Sequence, residues 1–215
     1  MNSSLIIIGA GGFALNVANV ALGSGISIIA FVDDARSGDD LLEIPIITRQ
    51  HCIDNYQNSN LFVAIGDNSI RERVSLEYKS DLPKAKFPPL IHPTAVVGVN
   101  TKIGEGTVIM PLVNVGPNSK VGNFCILNTL SSISHDCEMK SYSSTAPRVV
   151  TGGNVIIGFR SAISIGSTIK HNISIGKDVV IGANSYVNKQ VSNNVVAYGS
   201  PCKFVRKRNI GDSYL

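Results

Sequence analysis

The 215-residue chain is short of charge, of paired cysteine and of long apolar runs, and each shortage removes a class of protein. Charged residues make up only 16% of it, and no run of Lys and Arg is interleaved with aromatic residues. A formal net charge of +4 suits an anionic small ligand but does not by itself argue for nucleic acid as a partner. Cys52, Cys125, Cys137 and Cys202 stand apart, with no C-x-x-C pair. They lack the spacing of a disulfide or zinc framework and read as reduced thiols of a cytoplasmic protein. No cluster of imidazoles and thiolates is present, so no metal is expected. No stretch approaches the roughly 18 apolar residues of a membrane span. Leu5–Ile8 is too short for a signal peptide, and a soluble protein without membrane insertion is expected.

What the chain does have is a period. From Val97 to Val187 an aliphatic residue falls at every sixth position, and only Thr145 and Thr151 break the series. A period of six fits neither the 3.6 of a helix nor the simple alternation of a strand. It fits a solenoid in which three short strands and three corners make a coil of about eighteen residues. Gly follows the aliphatic at Gly98, Gly104, Gly116, Gly122, Gly152, Gly158, Gly176 and Gly182. A tight corner there excludes bulk and invites unusual φ. Small or β-branched residues recur four places after the aliphatic, as at Thr107, Ser119, Cys137 and Ser161.

Residues 1–85 follow a different grammar. Leu5–Ile8 reads as a buried strand, and a helix follows with Val17, Val20 and Ala21 inward. Strands are expected at 26–32 and 61–65, the second leading to a helix capped by Asn68 or Ser69, with Ile70 and Val74 on one face. This is a small Rossmann-like parallel α/β module. Pro83, Pro88, Pro89 and Pro93 mark an extended joint to residues 86–215, an all-β solenoid with a C-terminal tail.

Two stretches carry chemistry. Gly9, Gly11 and Ala14 match G-x-G-x-x-G/A between a strand and a helix, with Gly12 beside them. Such a loop lets backbone N–H groups approach a phosphate. The module is too short for two mononucleotide halves, which favours a nucleotide sugar or another phosphorylated ligand. Asp33 and Asp34 either accept hydrogen bonds from a base or ribose or simply end a strand. Gly66 and Asp67 lie at the same end of the sheet and form either part of that site or an ordinary turn. In the solenoid, Ser134-His135-Asp136-Cys137 replaces a glycine corner, and Asn128-Thr129 replaces another just upstream. His135 precedes Gly153 by 18 residues, one coil, so imidazole and amide face one cleft. A general base beside an amide donor is what acyl transfer needs, with Asp136 orienting the ring. His171 shares the column two coils on and is expected to face solvent. A covalent route through Cys137 is the minor alternative to direct attack.

These stretches together resemble the hexapeptide-repeat acyltransferases, and more narrowly the bacterial sialic-acid O-acetyltransferase and UDP-4-amino-sugar N-acetyltransferase family. The resemblance rests on G-A-G-G at 9–12, F-V-D-D at 31–34 and A-I-G-D-N at 64–68. It continues with L-I-H-P at 90–93, I-S-H-D-C at 133–137 and G-S-P-C-K at 199–203. It implies a homotrimer of left-handed parallel β-helices with acetyl-CoA between subunits and a nucleotide sugar on the N-terminal module. The family's base falls on His135, its carboxylate on Asp136, its thioester-contacting amide on Gly153 and an acceptor-binding asparagine on Asn128. The CoA groove passes Ser144, Ile165, Ala183 and Lys203. Two departures stand out: Phe13 where the family usually has His, and Ser144 where it often has a second His. The expected activity is acetyl transfer from acetyl-CoA to an amino group of a nucleotide-linked sugar in surface-glycan synthesis. The alternatives are O-acetylation of sialic acid or another sugar, or a non-catalytic trimeric nucleotide-sugar-binding protein.

Overall fold

In the computed structural model, which describes residues 4–214, the period of six becomes a triangular tube of stacked coils. Its first wall stacks Leu90–Ile91, Val108–Ile109, Ile126–Leu127, Ser144–Thr145, Ala162–Ile163 and Val180–Ile181 in parallel, and Val195–Tyr198 continues it. The second wall runs from Val96–Val97 through Asn114–Val115, Ser132–Ile133, Val150–Thr151 and Thr168–Ile169 to Tyr186–Val187. The third runs from Lys102–Ile103 to Ser174–Ile175. Each two-residue strand turns one side chain out and one in. The inward Val115, Ile133, Ile163, Ile169 and Ile181 are all buried, each stabilising the tube by about 1.5–3 kcal/mol.

The corners explain the rest of the repeat. Small inward residues use their hydroxyls to satisfy carbonyls of the next coil: Thr107 Oγ1 donates to Gly122 O at 2.8 Å, Ser119 Oγ to Ser134 O at 2.9 Å and Ser161 Oγ to Gly176 O at 2.6 Å. The corner glycines exclude bulk as expected, but unusual φ lies elsewhere. A Cβ on Gly116 would stand 2.7 Å from the His135 backbone nitrogen, a contact no side chain can make. Left-handed φ falls two residues later, at Asn118, Asp136, Asn154 and Asn172, where Asn and Asp tolerate it best.

The N-terminal module is a five-stranded sheet flanked by helices. β1 (Ser4–Ile8) is followed by α1 (Gly12–Gly23), β2 (Ser27–Val32), β3 (Asp40–Leu41), β4 (Ile44–Ile47), α2 (Arg49–Asn55), β5 (Asn60–Val63) and α3 (Asn68–Asp81). The spatial order is β3-β4-β2-β1-β5, all parallel except β3, which pairs antiparallel with β4 at the edge. That hairpin and α2 fill the stretch between the strands expected at 26–32 and 61–65, where the sequence suggested no element. Val17, Val20 and Ala21 are buried on α1 as expected.

α3 departs from expectation twice. Its cap is Asp67, whose Oδ1 accepts from the Ser69 and Ile70 amides at 2.9 Å each, so neither Asn68 nor Ser69 caps it. Its buried face is polar, made of Asn68, Arg71, Ser75 and Tyr78, while Ile70 is exposed. The reason is the solenoid. Arg71 is buried and donates to the carbonyls of Phe124 and Tyr142 in the tube and of Ile65 and Gly66 in the module, and to Asn68 Oδ1. Burial pushes its guanidinium below the ordinary range. Beside it Phe124 stacks on Tyr142, and Arg160 bridges Glu72 of α3 and Asp178 of the tube. The two modules are welded through polar groups that exposed loops would leave to water.

Candidate active site

His135 leaves the second wall at the corner after Ser132–Ile133. Its Nδ1 lies 2.7 Å from Asp136 Oδ2, and both side chains are about half exposed. The carboxylate takes the Nδ1 proton as a hydrogen bond and leaves Nε2 as the free base. That hydrogen bond, helped by Asn118 Nδ2, holds the Asp136 carboxyl below its ordinary value of 3.8. Asp136 can turn back onto the ring because it occupies the left-handed corner position, with φ 57°.

Gly153 lies directly against the ring. A Cβ there would stand 2.5 Å from both Nε2 and Cε1 of His135, so only glycine leaves room for the imidazole. The Gly153 carbonyl accepts from Asn172, while its N–H has no partner among the described residues. A base and a bare amide donor therefore share one corner. Cys137, two residues on, points the other way: it is buried and its Sγ lies 3.3 Å from the Gly152 carbonyl inside the tube. The geometry suits direct attack on a thioester, with the imidazole taking a proton and the amide facing the developing oxyanion.

The other residues fall into two further places. Gly66, Asn128, Ser144 and Ile165 line a cavity of about 450 Å³ between the N-terminal module and the first wall, with Phe13 and Tyr214. Ser144 thus stands with Asn128 and away from Gly153. Gly9, Asp33 and Asp34 border a shallower depression at the carboxyl end of β1 and β2, together with Arg49 and Arg73. Gly9 holds φ 105°, and added Cβ atoms on Gly11 and Gly12 would meet open space. Part of the acidic set has structural work. Asp33 Oδ1 accepts from the Ala35 amide, Asp34 Oδ1 from the Arg49 amide, and Asp67 caps α3. Ala183 follows Ile165 by one coil, and Lys203 begins the exposed terminal strand Lys203–Lys207. His171 is exposed.

Sequence reasoning missed Arg36, Arg49 and Tyr214. Arg36 clamps the glycine loop by donating to the Ala10 carbonyl at 2.5 Å. Arg49 buries an Nε without a partner among the described residues. The Tyr214 hydroxyl accepts from the Asn68 amide at 2.7 Å and reaches the cavity from the chain's far end. Nothing in its local sequence signals that position.

A β-helix carrying an imidazole–carboxylate pair against a glycine, with a small parallel α/β module at its side, has the architecture of a left-handed β-helix acyltransferase. Residues 4–78 match the PglD N-terminal domain. Over 157 residues the chain is 31% identical to GDP-perosamine N-acetyltransferase of Escherichia coli O157:H7, covering 72% of this chain and 69% of that one. It superposes on PerB of Caulobacter crescentus, solved with CoA and GDP-perosamine, with TM-score 0.89 and 28% identity over 96% of this chain and 99% of that one. The acetyltransferase domain of PglB from Neisseria gonorrhoeae, in complex with acetyl coenzyme A, gives TM-score 0.89 and 29% identity over 95% and 100%. The chain belongs to the family of sugar acetyltransferases that includes GDP-perosamine N-acetyltransferase.

Proposed function

We propose that the chain transfers the acetyl group of acetyl-CoA to the amino group of a nucleotide-linked amino sugar. The observation that carries the reading is the His135 corner, where the imidazole, its Nδ1 on Asp136, lies against Gly153, whose amide has no partner among the described residues. Residues 1–85 bind the acceptor's nucleotide through Gly9, Gly11, Gly12, Asp33 and Asp34, at a depression that Arg73 and Arg49 also border, Arg49 being held by Glu77 and Asp81. Residues 86–215 bind the donor along Gly153, Ile165, Ala183 and Lys203. Gly66, Asp67, Asn128 and Ser144 border the sugar's space. In the reaction His135 Nε2 removes a proton from the acceptor amine as its nitrogen attacks the thioester carbonyl. The Gly153 amide stabilises the tetrahedral oxyanion, and collapse expels the CoA thiolate.

The working unit is a homotrimer. His135 opens at the corner between the second and third walls, whereas the cavity lies beside the first. One chain therefore holds base and acceptor space on different sides, and a neighbour in a closed ring would bring them together. The reaction is assigned to the cytoplasm, a reading supported by a donor and acceptor made there and by Cys52, Cys125 and Cys137, buried as free thiols. Among the described residues no helix is long and apolar enough to cross a membrane.

The test is CoA release from acetyl-CoA with GDP-perosamine, with a UDP-linked 4-amino sugar and with the corresponding 4-hydroxy sugars. Turnover with an amino sugar, lost by about 10²–10⁴-fold in His135→Ala, is the expected result. Turnover with hydroxy sugars alone would turn the reading to O-acetylation. Tight nucleotide-sugar binding without turnover would make the chain a binding protein.

A further inference from the structure

The two breaks in the aliphatic period are not equivalent. From His92 to Gly182 the residue after each wall strand donates its amide hydrogen to a backbone carbonyl of the next coil. Gly116 does so to Ile133 at 2.7 Å and Gly152 to Ile169 at 2.8 Å. Ser134 is the exception. Its N–H donates to the Thr151 hydroxyl, Oγ1, at 3.0 Å. Correspondingly, Ser132 pairs with Val150 but Ile133 does not pair with Thr151, while the neighbouring contacts of the second wall keep both pairs. At Thr145, the other break, the ladder is intact, since the Asn128 amide still reaches the Thr145 carbonyl at 3.0 Å.

We infer that Thr151 is a positioning residue for His135: its hydroxyl draws the Ser134 amide out of the wall ladder and so sets the corner that lays the imidazole over Gly153. The chemistry follows from where the oxygen is. Thr151 is buried and its side chain points into the tube, with Cys137 Sγ 3.6 Å from Oγ1. A ladder carbonyl lies in the wall, whereas Oγ1 lies inside it, so the Ser134 peptide must rotate inward to reach its acceptor. His135 is the next residue and inherits that rotation. An aliphatic side chain at 151, which the period calls for, offers no acceptor. The Ser134 N–H would then either rejoin the ladder or remain buried without a partner, which is costly. The inference rests on His135 acting as the base.

Thr151→Val tests it, because it keeps the shape, restores the aliphatic column and removes only the acceptor. The expected result is a folded protein with unchanged KM for acetyl-CoA and acceptor and kcat lowered by about 10²-fold, the scale of a small misplacement of a reacting group. Thr151→Ser, which keeps the hydroxyl, should restore kcat. Crystal structures of both variants should show the imidazole displaced from Gly153 in the first and retained in the second. A wild-type kcat in Thr151→Val, a Thr151→Ser variant as slow as it, or an unmoved imidazole overturns the inference. If Thr151→Val does not fold, Thr151→Ala adds no bulk and must show the same loss. The structural readout is independent of turnover. Failure of His135→Ala to slow the reaction would instead remove the reading on which this inference rests.

Discussion

At the scale of single residues, the active corner depends on what is left out as much as on what is present. Gly153 leaves out a Cβ, and the imidazole fills the space. Gly153→Ala should therefore move the ring rather than unfold the tube, because His135 is exposed and free to swing. Turnover should fall by about 10-fold or more while the thermal midpoint holds, as measured by CoA release and calorimetry. Asp136 gives a second test. Its carboxyl is depressed by the hydrogen bond from His135, so the interaction is present above the ordinary value of 3.8 and is lost only as pH falls through the lower folded value. Carbon NMR should find Asp136 titrating below 3.8, and His135→Ala should move that midpoint upward. An unchanged midpoint would mean that the two side chains do not pair in solution.

At the scale of elements, α3 and the solenoid corners form one unit. An amphipathic reading of α3 puts Ile70 inward, but the tube presents backbone carbonyls there, and carbonyls need donors. Arg71 supplies them from one planar group to oxygens in both modules. Arg71→Met should leave several buried carbonyls unpaired at about 1–3 kcal/mol each, and lower the unfolding free energy by at least about 3 kcal/mol. Calorimetry should show the N-terminal module melting before the solenoid. A single transition at the wild-type midpoint would show that Phe124, Tyr142 and Arg160 hold the joint without it. Because Arg71 also grips Gly66 O, the same variant should raise the acceptor KM.

At the scale of the whole molecule, the cavity lies beside the first wall and His135 at the corner after the second, and the proposed trimer would unite the two between neighbouring chains. Light scattering should give about three times the chain mass, as a closed ring of three copies requires. A monomer with full turnover would refute the shared site. Mixing subunits sharpens the test. His135→Ala chains and chains carrying a blocked acceptor cavity, such as Asn128→Trp, should each be inactive alone. Mixed trimers should recover activity, because some of their interfaces unite an intact base with an intact cavity.

How much of this was legible in the sequence follows from which contacts are local in the repeat. The tube, its coil length, its inward residues and the pairing of His135 with Gly153 all follow from a period, because a solenoid converts a fixed sequence spacing into a fixed spatial one. β1, β2, β5 and the first helix of the N-terminal module were legible for a similar reason, since apolar runs ending in glycine or aspartate are local signals, whereas the β3–β4 hairpin and α2 were not. The polar face of α3 was not, nor was the reach of Tyr214 into a cavity lined by Phe13. Each depends on a partner far away in the chain. The breaks at Thr145 and Thr151 were visible as breaks, but their difference was not, because it lies in one hydrogen bond across the coils. Spacing along the chain determined which residues stack. Tertiary structure alone decided which unpaired backbone groups those residues had to satisfy, because a buried donor or acceptor takes whatever partner the packing brings within reach.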